Sequence, residues 1–189
     1  MASNYREIFE RSKGQLNQAT QKSYEWFEQQ SRLLMMQQVG PSVLLRNNDL
    51  KNKTATSLIP GEMYFFRYYP KYAATLPVWD MYPLVFPFRI VKGGFIGLNF
   101  HYLDFVTRIF LLDQLMDFRT NTAYPEKIRL KLYWNTINRL SKYSGVEQTV
   151  HRYLGSHITS TIKKIDPINW TTALMLPLAK MVSGARVNG

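Results

Sequence analysis

Hydrophobic and polar positions change period several times along this chain. From residue 3 to residue 38, apolar side chains recur at Ile8, Phe9, Leu16, Tyr24, Trp26, Phe27, Leu33, Leu34 and Met35, which predicts one long helix. Ser3 or Asn4 can cap it, with Glu7 following. Its middle, Gln15 to Lys22, is nearly all polar and has little to bury against its own domain. Residues 1–40 therefore predict a helical arm that projects and docks on another chain through Tyr24, Trp26 and Phe27. Gly40-Pro41 stops the arm, and residues 41–60, rich in Asn, Lys, Ser and Thr, predict a linker.

From Gly61 the period shortens to two. Met63, Phe65, Arg67 and Tyr69 alternate with Tyr64, Phe66 and Tyr68, the pattern of a strand with two partly buried faces. Residues 72–83 predict an aromatic loop, with Trp79 at a protein interface. Leu84 to Val91 and Phe95 to Tyr102 predict two more strands, joined by a hairpin turn at Lys92-Gly93-Gly94. Pro87 inside the second strand predicts an edge position or a bulge. Phe65, Val85 and Phe95 are expected in the core.

Beyond Asp104 the pattern turns helical. Leu111, Leu112, Leu115 and Met116 form the apolar face of a helix from Phe105 to about Phe118, and Asp104 can cap it. A second helix is predicted from Tyr124 to Tyr143, opened by Pro125, and a short one from Val146 to Leu154. His157 to Ile165 and Trp170 to Leu176 predict a returning pair of strands, and residues 184–189 a loose tail. The elements add up to an α+β chain. Its expected core, residues 61–183, is a small SH3-like, partly open β-barrel carrying a long N-terminal helix and a helical insert.

Composition narrows the function classes. Of 189 residues 46% are hydrophobic and 20% charged, so a packed core is affordable and a wholly disordered chain is excluded. Cysteine is absent, which removes disulfides, thiolate catalysis and cysteine-bearing zinc sites. No signal-like or membrane-spanning run is evident, so the chain is expected to be made without export and to have no membrane partner. The formal net charge is +11, and residues 105–189 carry 12 basic against 5 acidic side chains. Such a field attracts nucleic acid, an acidic protein surface or an anionic membrane.

Catalytic chemistry is thin. The histidines are His101, His151 and His157, and the last two are not at the i, i+4 spacing of a helical metal pair. His101 is expected as a hydrogen-bonded core or rim residue. Asp113 and Asp117 lie one helical turn apart, and a solvated face explains them. Gly93 to Gly97 lacks the Lys-Ser/Thr of a phosphate loop. The expectation is a protein without catalytic residues, metal, cofactor or small-molecule substrate. Basic residues interleaved with aromatics carry more information: Arg129 and Lys131 on the helical insert, and Lys163 and Lys164 on a strand, are the candidates for binding DNA or an acidic partner.

The segment from Gly61 to Leu103 resembles a family of small virion-associated proteins of T-even-like tailed phages, often labelled DNA end protectors. The resemblance rests on the aromatic strand ending in Pro70-Lys71, on Leu76-Pro77, on Tyr82-Pro83-Leu84-Val85 and on the run from Gly93 to Leu103. Tyr24 to Phe27, His151 to Leu154, Ile165-Asp166-Pro167, Trp170 and Leu176-Pro177 extend it. Val78-Trp79-Asp80 and Tyr69 depart from the family pattern. The resemblance implies a virion protein made in the host cytoplasm. Two functions follow. The first expectation is a non-enzymatic structural piece of the particle, in the baseplate, tail or neck, held by other phage structural proteins. The alternative is sequence-independent binding to the ends of packaged double-stranded DNA.

Overall fold

The computed structural model describes residues 54–120, 125, 128, 131, 132, 135 and 149–184. The predicted arm, most of the linker, most of the second helix and the tail lie outside these residues. Seven strands are described: β1 (Met63–Phe65), β2 (Trp79–Asp80), β3 (Leu84–Val91), β4 (Gly94–Asn99), β5 (Val150–Leu154), β6 (Lys163–Ile165) and β7 (Met181–Val182). Two helices accompany them, α1 (Phe105–Thr120) and α2 (Trp170–Met175). Ile128, Lys131, Leu132 and Asn135 are also helical.

Five strands form one antiparallel sheet in the order β5-β4-β3-β1-β6, and β2 pairs with β7 in a separate ribbon. Among the described residues the sheet stays open, with β5 and β6 at its edges; it does not close into the expected barrel. Alternation along the strands sends large apolar side chains to both faces. Met63, Phe65, Leu84, Phe86 and Leu98 pack beneath Leu111, Leu112 and Leu115 of α1 and Trp170 and Leu174 of α2. Tyr64, Phe66, Tyr68, Val85, Phe95 and Tyr153 form the second core, covered by Ala55, Leu58, Ile158 and Ile162. The three expected core residues, Phe65, Val85 and Phe95, are all buried.

The hairpin forms where its glycines require it. Gly93 has φ +78°, a conformation that side chains with a Cβ rarely adopt. At Gly94 a Cβ would collide with the Tyr153 carbonyl oxygen, so only glycine lets β5 lie this close. Pro87 sits at a register shift between Pro87 and Arg89, a bulge in the middle of the sheet rather than at its edge. Its carbonyl is not wasted, because the Gly61 amide donates to it at 2.8 Å. Asp104 caps α1 as expected, accepting from the Thr107 amide at 3.0 Å and the Thr107 hydroxyl at 2.6 Å.

Two predicted elements change type. Val150 to Leu154 is strand β5, not the end of a helix. Its Tyr153 stacks on Phe95 at 5.2 Å between centroids, a cross-strand contact that helical propensity does not anticipate. Trp170 to Met175 is helix α2, not a strand. The turn at Pro167–Asn169 starts the helical winding, and the Trp170 indole donates to the Ile165 carbonyl at 2.8 Å. That bond and the edge-on packing of Trp170 against Phe86 fix the ring inside the first core.

Candidate functional site

The ladder brings together cations that are far apart in sequence. Arg89 lies opposite Ile96, and Ile96 lies opposite Arg152, so the two arginines share one face at the hairpin end of the sheet. Lys92 occupies the turn beside them, and its carbonyl accepts from the Arg152 guanidinium at 3.3 Å. Both arginines are exposed. None of the three forms an ion pair among the described residues. Sequence patterning missed Arg89 and Lys92 because they sit in the apolar half of the chain, where charge counting finds no cluster.

Arg152 also borders a cleft of about 510 Å³ between the loop after β1 and the edge strand β5. Tyr68, Tyr72, Trp79, Tyr102 and Tyr153 contribute rings to its wall, and Lys71 adds a second cation. The Lys71 ammonium lies 5.3 Å from the centroid of the Tyr72 ring. Burial raises the Tyr102 hydroxyl to about 12, with the Asp80 charge acting in the same direction, so it stays a protonated donor at neutral pH.

Beneath the cleft Asp80 is clasped by four donors. Its Oδ2 accepts from His101 Nδ1 at 2.7 Å and Asn99 Nδ2 at 3.1 Å. Its Oδ1 accepts from the amides of Tyr82 at 3.0 Å and Lys180 at 3.2 Å. These bonds tie the aromatic loop to the end of β4 and to the C-terminal segment. Arg108 closes the cluster, donating to the carbonyls of Leu103 and His101. Burial lowers its guanidinium to about 10, yet it remains charged at neutral pH. Among the described residues no group of three His, Asp or Glu side chains is placed to hold a metal ion.

The residues singled out from sequence fare differently. Lys163 is only 3% exposed, and its ammonium donates to Thr54 Oγ1 at 3.1 Å. It faces the first core beside Phe65, so its position is inside the sheet rather than on a phosphate-facing surface. Lys164 points to the other face, half-buried, with its ammonium 3.5 Å from Glu62. Lys131 is exposed on its helical segment. Arg129, Tyr24, Trp26 and Phe27 lie outside the described residues. Trp79 is 4% exposed, because β2 pairs with β7 and turns its ring inward against Tyr69. The rings that do reach solvent in that loop are Tyr69 and Tyr72.

An antiparallel sheet with helices over one face, a cationic end and an aromatic cleft make this a basic α+β protein. The family model of the Phage T4 terminal DNA protecting protein matches residues 1–188, and the chain belongs to that family. No curated protein and no solved structure matches it. No helix among the described residues is long and apolar enough to cross a membrane.

Proposed function

We propose that this protein binds the ends of linear double-stranded phage DNA without regard to sequence and shields them from nucleases. The observation that carries this reading is the cationic end formed by Arg89, Lys92 and Arg152, with no carboxylate paired to it among the described residues. Flexible cations spaced across neighbouring strands suit phosphates, which carry the sequence-independent part of DNA binding. Family membership and the net charge of +11 support the same assignment. The protein would be made in the host cytoplasm and travel in the virion. The first-expected role, a structural piece of baseplate, tail or neck, leaned on the arm, which lies outside the described residues, and on Trp79, which is buried.

The test is binding of blunt linear duplex across a salt series, with exonuclease digestion as the second readout. The wild-type protein should bind and slow digestion. Replacing Arg89, Lys92 and Arg152 together by Gln should reduce the salt slope by about 3, roughly one for each phosphate no longer neutralised. No affinity for duplex even at low salt, or an unchanged slope in the triple variant, would overturn the proposal.

A further inference from the structure

We infer that the cleft between the loop after β1 and strand β5 receives a single unpaired nucleotide from the terminus of the bound DNA. The inference rests on the DNA-end function proposed above and assigns a second, distinct contact to it. The volume, about 510 Å³, falls within the roughly 300–1,000 Å³ of small-ligand pockets and suits one nucleotide. Rings make up much of the wall, and every base has a π-face that stacks on such rings whatever its identity. Tyr72 is the accessible platform, at 64% exposure, while Tyr68, Trp79 and Tyr153 lie deeper.

Hydrogen-bond chemistry agrees with that occupant. Trp79 lines the cleft, and its buried indole N–H has no partner among the described residues. Lys71 stands at the Tyr72 ring, and Arg152 at the opposite border belongs also to the cationic end of the sheet. A base laid on Tyr72 would thus have its own phosphate near Lys71. The next phosphates would run toward Arg152. Asp80 contributes the cleft's one carboxylate, but its oxygens are already engaged by His101, Asn99 and two backbone amides. A ligand rich in acceptors and carrying negative charge meets donors and cations here, and an internal stretch of paired duplex offers no free base to fill the space.

The experiment uses the full chain and blunt duplexes carrying 2-aminopurine either at a terminal nucleotide or well inside the helix. Protein binding should change the fluorescence of the terminal probe and leave the internal probe unaltered. Tyr72→Ala should abolish that change and weaken end binding roughly tenfold, one stacked base's worth, while leaving affinity for closed circular DNA as it was. Tyr72→Phe, which keeps the ring, should behave as wild type. Both substitutions fall on an exposed side chain, so the fold is expected to survive; circular dichroism checks it. If DNA binds but the two probes respond alike, or if Tyr72→Ala matches wild type, the nucleotide site is refuted and the DNA-end function stands. If no DNA binds, both fail together.

Discussion

Asp80 and His101 meet at 2.7 Å with both side chains shut off from solvent, an acid and a base joined across two different segments of the chain. The imidazole Nδ1–H donates to the carboxylate, which also accepts from Asn99 and the Tyr82 and Lys180 amides. Removing the acceptor strands three donors in the interior and a fourth, the Lys180 amide, at its margin. Asp80→Ala is therefore expected to lose on the order of 3 kcal/mol of unfolding free energy in urea. A loss below about 1 kcal/mol would mean that other acceptors take over these donors.

The same pair makes stability depend on pH. Burial pushes the His101 pKa down, against the opposing pull of Asp80, and the nearby Arg108 charge adds to the fall. Burial alone would raise the Asp80 carboxyl, but hydrogen bonds from His101, Asn99 and the Tyr82 amide outweigh it and hold the group below its ordinary value. Both folded-state pKa values thus lie below their unfolded ones, so the unfolded chain binds more protons and acid favours it. Stability should be level between about pH 7 and 9, fall as pH drops below the ordinary His value of about 6.5, and fall again below about 4. Urea midpoints across this range test it. His101→Gln should flatten the upper limb.

Phe95 lies at zero exposure between Phe66, 6.0 Å away, and Tyr153, 5.2 Å away. Cutting it to Ala removes the ring on which both neighbours rest. Phe95→Ala should cost about 3–5 kcal/mol. A melt near wild type would contradict the described second core.

Lys163 and Lys164 are adjacent in sequence and opposite in consequence. Lys163→Glu puts a carboxylate into the first core beside Phe65, where a buried unmatched charge costs about 3–5 kcal/mol, and should unfold the chain. Lys164→Glu exchanges a partly buried ion pair with Glu62 for repulsion and should leave a folded protein, less stable by about 1–2 kcal/mol. Soluble yield and circular dichroism distinguish the two. Equal behaviour of the pair would show that β6 is not in the described register.

The β3–β4 hairpin, the capped helix α1 and the core identity of Phe65, Val85 and Phe95 were legible in sequence, because local signals set them. Gly93, Asp104 and the alternation of apolar residues act within a few positions. Strand β5 and helix α2 were misread because their type is decided at a distance. Val150 to Leu154 becomes a strand because Tyr153 finds Phe95, and Trp170 enters a helix whose ring docks on Phe86. Lys163 illustrates the limit of charge counting: one register step separates it from Lys164, and that step flips it to the core face. The cationic end was hidden for the related reason that Arg89 and Arg152 become neighbours only through β4.

Placing β1 between β3 and β6 also sets a schedule for synthesis. Phe65 pairs with Leu84 on one side, and on the other with Lys163, nearly a hundred residues later. A nascent chain can join β1, β3 and β4 soon after residue 99 emerges, but the outer edge of β1 then stands bare. At translation speeds of about 5–20 residues per second, the covering strand follows roughly 3–13 seconds later. Through that interval the exposed edge offers its amides and carbonyls to any other half-made copy on the same message. Productive folding of this protein is a race between its own last third and its neighbours, and crowding ribosomes on one transcript should shift the outcome toward aggregation.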